Sequence, residues 1–223
     1  MTKVIYDHVL VKVIDGDEYE RDTGFKGYDG KAIELVPEWN PRQHRKNYGK
    51  VVSIPSKLSY QSKGIKMKVK VGDLIYFHYN TLTEDKQLFI NKENVYMLEY
   101  HRIFCRVEGG KIDMVGGHVL VSDIDDSDFI NVGIGKVKGK LLNSGLAVLD
   151  EEFDVKKKKP GIGILAEISE PVDGDPVLDV NVGDHVYYEK NSMFENTIEG
   201  KKYYVMHQED LMACVQRKNH TKS

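Results

Sequence analysis

Short apolar runs separated by turn residues cover most of the chain, and their period identifies them as β-strands. In residues 4–14 the apolar positions alternate, with Val9, Val11 and Val13 on one face. Alternation of this kind is typical of half-buried strands. A helical period of 3.6 residues is confined to about one turn near residues 209–211. The pattern predicts an all-β chain of short strands, the arrangement of a small β-barrel.

One of these runs occurs twice. The stretch V-K-V-G-D-L-I-Y-F at 69–77 returns as V-N-V-G-D-H-V-Y-Y at 180–188. The glycine of each corner, Gly72 or Gly183, allows a positive φ angle, and the aspartate after it can accept hydrogen bonds from nearby amides. Each stretch is therefore interpreted as strand, tight turn, strand. Two copies in the same context indicate a longer internal repeat.

The motif order around these corners is repeated as well. H-V-L-V at 8–11 returns at 118–121, an offset of 110 (118 − 8). In a chain of 223 residues, two copies of one unit would each have ordinary domain size. We therefore expect a first barrel at 1–108, a linker at 109–117, a second barrel at 118–215 and a flexible tail at 216–223.

Each expected barrel has a long polar loop after its first strand, and each loop contains one apolar island. The islands are I-E-L-V at 33–36 and L-A-V-L at 146–149. Loops longer than about 12–15 residues are uncommon in compact domains and tend to be functional or disordered. An apolar tetrad on its own more often indicates another core strand. The islands therefore have two interpretations, contact segment or core strand.

Composition and charge exclude several classes of function. The net charge is −3 with 30% charged residues, so no global field favours nucleic acid or a membrane surface. The basic runs 42–46 and 156–159 lack the interleaved aromatic residues that stack on bases. We find no signal peptide, transit peptide or 18-residue apolar span. We expect a cytoplasmic protein that binds neither nucleic acid nor membrane.

Candidate catalytic and metal-binding residues are equally sparse. Cys105 and Cys214 lie in nearly matching places inside apolar runs, which favours small buried thiols over a disulfide or a nucleophile. The eight histidines and two cysteines never gather at ligand spacing. The glycine-rich stretch 133–141 lacks the spacing and the Ser/Thr of a P-loop, and 161–166 is not followed by the helix that a dinucleotide site requires. We predict no catalytic residues, no metal and no cofactor.

The ordered motifs of both halves resemble the GroES-type co-chaperonin family. The resemblance is carried by the H-V-L-V strands, by V-K-V-G-D at 69–73 and by the closing V-M-H-Q-E-D-L-M-A-C-V at 205–215. G-L-A-V-L at 145–149 stands where the family has the apolar segment of its mobile loop. Arg102 and Arg106 depart from the family, which has an acid and an apolar residue at those places.

The resemblance implies a ring-shaped lid that caps an ATP-driven, GroEL-like chaperonin in its nucleotide-bound state and assists protein folding. Loops that order on binding make contacts that are weak singly and effective together. The implied chaperonin-binding residues are Leu146, Ala147, Val148 and Leu149, with Ile33, Leu35 and Val36 as a weaker counterpart.

The resemblance also implies a homo-oligomer that is joined through terminal strands, with edges at 4–14 and 211–215. The alternative function is that of a structural or assembly protein, for example a viral one, that reuses the barrel without binding a chaperonin. The two apolar islands distinguish these functions, because only a co-chaperonin needs them exposed.

Overall fold

The computed structural model describes residues 4, 6–14, 47–59, 62–124, 129–134, 137–142, 147–149, 161–189 and 191–216. Within these ranges the chain consists of β-strands and short 3-10 turns, so the all-β prediction is confirmed. The chain divides into two compact units, Met1–Gly116 and Gly117–Ser223.

The first unit is built on one antiparallel sheet. Its strands are β1 (His8–Val13), β2 (Tyr48–Ser53), β3 (Leu74–Phe77), β4 (Gln87–Ile90), β5 (Glu93–Glu99), β6 (Ile103–Glu108) and β7 (Lys111–Met114). They lie in the order β4-β5-β1-β2-β3-β6-β7. Val9, Val11 and Val13 all face the same buried core, as the alternation in the sequence predicts.

The second unit contains two antiparallel sheets. Its strands are β8 (His118–Ser122), β9 (Phe129–Ile134), β10 (Val137–Leu142), β11 (Ala147–Leu149), β12 (Gly161–Ile168), β13 (His185–Tyr188), β14 (Phe194–Ile198), β15 (Lys201–His207) and β16 (Leu211–Val215). The main sheet has the order β14-β15-β8-β12-β13-β16, and β11-β10-β9 form a sheet of their own. Val119 and Val121 of β8 lie in the core of the main sheet.

The two main sheets have the same strand order. β4-β5-β1-β2-β3-β6 in the first unit correspond one by one to β14-β15-β8-β12-β13-β16 in the second. The first unit adds β7 at one end, and the second inserts β9–β11 between β8 and β12. Among the described residues no pairing joins the two end strands of either sheet, so we describe open sheets and not closed barrels.

The segment 109–117, which we expected to be a linker, contains β7. Gly109 and Gly110 form a two-residue turn that leads from β6 into β7, with Glu108 opposite Lys111. Residues 111–114 are therefore the last strand of the first sheet.

Both V-G-D corners have the same local geometry. Gly72 and Gly183 have φ angles of +97° and +98°, which only glycine adopts readily and which a type II turn requires at its third residue. The carboxylates of Asp73 and Asp184 each accept a hydrogen bond, 2.8 Å long, from the amide three residues earlier. The turn and its aspartate bond are thus as the sequence predicts.

The expectation of a strand before each corner is wrong. Residues 65–70 and 176–181, which precede the two corners, belong to no strand. Instead the corner docks on β2, where the Gly72 N–H donates to the Val51 carbonyl and the Val51 N–H donates to the Asp73 carbonyl, both at 2.9 Å. Leu165 makes the same pair of bonds in the second unit. The corner thus takes up the N–H and the carbonyl of Val51 or Leu165, and these backbone groups are not left for pairing with the residues before the corner.

A glycine is required where β1 pairs with β2 and where β8 pairs with β12. A Cβ atom on Gly49 would lie 2.5 Å from Val11 Cγ1 and 2.8 Å from the carbonyl oxygen of the following residue in β1. A Cβ atom on Gly163 would overlap Val121 and lie 2.6 Å from the equivalent carbonyl oxygen in β8. Val11 therefore covers Gly49 in the first unit as Val121 covers Gly163 in the second.

We expect Gly163→Ala to destabilise the second unit by about 1–3 kcal/mol, the usual effect of overpacking a tight site. The carbonyl oxygen belongs to the backbone and cannot rotate away from the new methyl group. Urea denaturation followed by circular dichroism measures the change. Gly49→Ala should behave alike, whereas Lys201→Ala at an exposed strand position should stay within about 0.5 kcal/mol of the wild type. If the Gly163→Ala substitution left the free energy of unfolding unchanged, β8 and β12 would be less closely packed than the structure shows.

Candidate functional site

Three residues of the second apolar island form an edge strand. Residues Ala147–Leu149 constitute β11 and pair with Gly139–Leu141 of β10, which pairs in turn with β9. The island is therefore extended and belongs to the separate three-stranded sheet, not to the six-stranded sheet that carries the core. Leu146 lies outside the described residues. That these four residues contact a chaperonin stays a prediction.

The first island cannot be compared with the second. Ile33, Leu35 and Val36 all lie outside the described residues. Their role also stays a prediction.

The expected edge at 4–14 is wrong. β1 pairs with β5 on one side and with β2 on the other, so it lies in the middle of the sheet. β8 has the equivalent central place in the second unit. A strand that opens a sequence repeat can lie anywhere in the sheet, because its alternation records burial and not strand order. β16, at 211–215, does lie at the end of its sheet.

β16 and β6 are equivalent strands in different surroundings. β6 lies between β3 and β7, and its Ile103 and Phe104 are buried. β16 pairs with β13 on one side only among the described strands, and Met212, the counterpart of Phe104, is 68% exposed. The second unit therefore presents an apolar edge that β7 covers in the first.

The two cysteines differ as a result. Arg106 faces Ile75 in the first sheet and Cys214 faces Val186 in the second, so Cys105 is displaced by one residue from the counterpart of Cys214. Burial raises the pKa of the Cys105 thiol to about 12. Cys214 is only partly buried, so the prediction of a buried thiol is confirmed for Cys105 and wrong for Cys214.

Arg106, which departs from the family pattern, holds β7 on β6. Its Nε donates to the Asp113 carboxylate at 3.0 Å, and Lys68 Nζ reaches the same carboxylate at 3.3 Å. Burial alone would raise the pKa of Asp113, but the hydrogen bond from Arg106 and the charge of Lys68 hold it below its ordinary value. No sequence motif indicates this cluster, because Lys68 and Asp113 are far apart in the chain.

Arg102, the other departure, also has a structural partner. Its Nε donates to Glu99 at 2.8 Å, and Lys86 Nζ donates to the same carboxylate at 3.0 Å. Burial opposes ionisation of Glu99, yet the two cations lower the pKa of this carboxyl. Both unusual arginines thus stabilise local turns and edges of the first sheet.

The glycine-rich stretches have structural roles. Residues 133–134 and 137–141 lie in the paired strands β9 and β10, whereas a P-loop requires a strand, a loop and a helix. Gly161 and Gly163 lie within β12, where both make room for packed side chains. In the described ranges no group of three or more potential metal ligands gathers. No helix among these residues is both long and apolar enough to cross a membrane.

The shared strand order of the two main sheets and their two V-G-D corners are consistent with GroES-like β domains. Residues 143–215, which run from the second island to the end of β16, match the family described as the chaperonin 10 Kd subunit. The chain is 34% identical over 74 residues to the co-chaperonin GroES of Halothermothrix orenii, a match that covers 33% of this chain and 77% of that protein. The chain belongs to the GroES, or chaperonin 10, family of co-chaperonins.

Proposed function

We propose that the protein caps a GroEL-like chaperonin ring in its nucleotide-bound state and thereby assists protein folding. The contact segment is 146–149, with Ile33, Leu35 and Val36 as a weaker second contact. One observation carries this proposal: the family match includes the island, which β11 presents outside the core sheet. A cytoplasmic location and the absence of catalysis are parts of the same proposal.

We further propose that both units are GroES-like domains, at 1–108 and 118–215. The support is the shared strand order, the two equal corners and the glycine beneath the first-strand valine in each. Duplication of one ancestral domain explains all three.

Mixing the protein with a chaperonin, with and without ATP, tests the main proposal. Gel filtration should show a complex that depends on nucleotide, because the partner is the nucleotide-bound ring. The protein alone should not hydrolyse ATP. Failure to form a complex in ATP would favour the assembly-protein alternative, and hydrolysis that survives rigorous removal of chaperonin would contradict the non-enzymatic role.

We also propose that copies of the chain associate through β16. β7 precedes β8 in the sequence as residues 1–4 precede β1, at the offset of 110 (111 − 1). Since β7 covers β6, the equivalent segment 1–4 of a second copy would cover β16, the counterpart of β6. An uncovered strand edge is a ready template for such pairing.

The internal strand pair predicts the register of this contact. Arg106 lies opposite Asp113, so Cys214 should lie opposite Lys3 of a second copy. We expect Lys3→Cys to form chain-to-chain disulfides with Cys214 under mild oxidation, because directly opposed strand residues have the short Cα separation that a disulfide requires. A non-reducing gel should show a ladder of covalent oligomers.

Two controls give this crosslinking experiment its specificity. Adding Cys214→Ser should abolish the ladder, because Cys105 is buried. Thr2→Cys, one residue out of register, should crosslink much less. Disulfides confined to single chains, or an equal yield from both positions, would contradict the proposed contact.

A further inference from the structure

We propose that β4, the end strand of the first sheet, pairs with β4 of a second copy of this chain about a two-fold axis. β4 (Gln87–Ile90) pairs with β5 on one side, and its other side is unpaired within the described part of the chain. An uncovered strand edge is a template for the addition of another strand. This contact goes beyond the proposed function, because it joins copies at a different edge from β16 and involves no chaperonin.

The side chains of β4 leave this edge unprotected. Leu88 is 38% exposed and Phe89 is 73% exposed, and no residue of the strand is charged. Its pairing with β5 is regular from Gln87 to Ile90, without a bulge. Proteins usually protect the edges of their sheets with charged side chains, proline or bulges. β4 has none of these and combines an open edge with exposed apolar surface.

β14, the equivalent end strand of the second sheet, is protected. The pairing of the two sheets aligns Gln87 of β4 with Glu195 of β14, and Phe89 with Thr197. Glu195 is exposed and forms an ion pair with Lys202 at 2.8 Å. β14 is therefore polar at the positions where β4 is apolar. The apolar edge is a property of the first unit and not of the shared strand order.

The charges at the two ends of β4 favour a second copy as the partner. Asp85 precedes the strand and Lys92 follows it, and both side chains are exposed. The residues after them, Lys86 and Glu93, already form ion pairs within the chain. In an antiparallel pair the start of one strand meets the end of the other, so Asp85 of each copy comes close to Lys92 of the other. The edge is therefore complementary in charge to itself.

The two-fold symmetry limits the register of the contact. Successive strand residues direct their backbone groups to alternate sides, so two copies related by a two-fold axis must place one residue opposite itself. A centre at either end of β4 would pair too few residues. A centre on Phe89 would place Lys86 opposite Lys92 of the second copy, and like charges repel. A centre on Leu88 avoids this repulsion and places Phe89 opposite Gln87, so we assign this register.

Cysteine crosslinking tests the contact and its register. Leu88→Cys in a Cys214→Ser background should form a covalent dimer under mild oxidation, because each copy then presents one accessible thiol opposite its equivalent, and Cys105 is buried. The product should stop at the dimer. Phe89→Cys is the matched control, since this position is more exposed but out of register, and it should give at least about fivefold less dimer. No dimer from Leu88→Cys, or equal yields from both positions, would overturn the proposal.

The mass of the protein in solution tests the contact without a crosslink. Leu88→Lys would place two like charges opposite each other on the axis, so the copies should separate. Analytical ultracentrifugation should show the mass falling by about half, since a two-fold contact joins assemblies in pairs whether or not copies also associate through β16. Thr197→Lys adds the same charge at an exposed position of β14 and should leave the mass unchanged. An unchanged mass for a Leu88→Lys protein that is folded by circular dichroism would overturn the proposal.

The charges at the ends of β4 give a test that leaves the strand itself unaltered. Lys92→Asp should raise the dissociation constant of the contact by about three- to tenfold at low salt, and Asp85→Lys should do the same. The double variant should associate as the wild type does, because each exchanged charge again meets its opposite. A double variant that associates no better than either single variant would overturn the two-fold arrangement.

Discussion

A protein that carries Val148→Asp is expected to lose its complex with the chaperonin and to keep its fold. Burying one aliphatic side chain contributes about 1.5–3 kcal/mol, and a carboxylate in its place would have to enter an apolar groove without a partner. Every copy in a ring would lose the contact at once, so the multivalent gain is lost as well. Gel filtration with chaperonin and ATP should show no complex, which corresponds to a loss of at least about a hundredfold in affinity.

The fold should survive because β11 lies outside the six-stranded sheet. Circular dichroism and oligomer size should match the wild type. Leu146→Asp should have the same effect, and Leu35→Asp shows whether the first loop also binds. Val177→Asp introduces the same carboxylate at a valine that is 82% exposed, and should leave binding intact. Normal binding by the Val148→Asp protein, or its unfolding, would show that the island is structural.

The largest effect on stability is expected from Val119→Asp. Val119 is fully buried in the core of the second unit and lies between Met206 of β15 and Ile168 of β12. The substitution removes apolar burial and places an unpaired carboxylate in the core, which together should destabilise by more than about 4 kcal/mol. The second unit should therefore unfold at much lower urea than in the wild type, as followed by circular dichroism.

The pH dependence of that variant has a defined sign. Burial would raise the folded-state pKa of the introduced carboxyl above its unfolded value, so the unfolded state releases its proton first as pH rises. The loss in free energy of unfolding relative to the wild type should be largest at neutral pH and should become smaller as the pH falls toward 4. Val177→Asp, at an exposed position, should change stability by no more than about 0.5 kcal/mol. If the Val119→Asp protein had the same free energy of unfolding as the wild type, Val119 would not be a core residue.

Local rules in the sequence were sufficient for several parts of this fold. Alternation placed Val9, Val11 and Val13 on the core face, because a strand has a period of two. The V-G-D motif predicted a turn with positive φ and an aspartate that accepts an amide, and both depend on neighbouring residues alone. Motif order identified the repeat without any knowledge of strand pairing.

Features that depend on distant partners could not be predicted in the same way. The sequence of β7 resembles a linker, because β7 is held on β6 by Arg106 of β6 and by Lys68, which lies before the first corner, and both reach Asp113. The central position of β1 follows from pairing with β5 and β2 and leaves no local trace. The island at 146–149 could be recognised as apolar, but its place on an edge strand depends on the hairpin before it.

Gly161 and Tyr188 have a consequence for how the two units could have diverged. A Cβ atom at Gly161 would overlap the Tyr188 ring. At the equivalent place the first unit pairs Asn47 with Phe77, and the Phe77 N–H donates to the Asn47 carbonyl. The two units therefore have different residue pairs at equivalent places of their sheets. Gly161 can gain a side chain only if the Tyr188 ring moves or is replaced by a smaller residue, so a lineage that changes one of these two residues has to change the other.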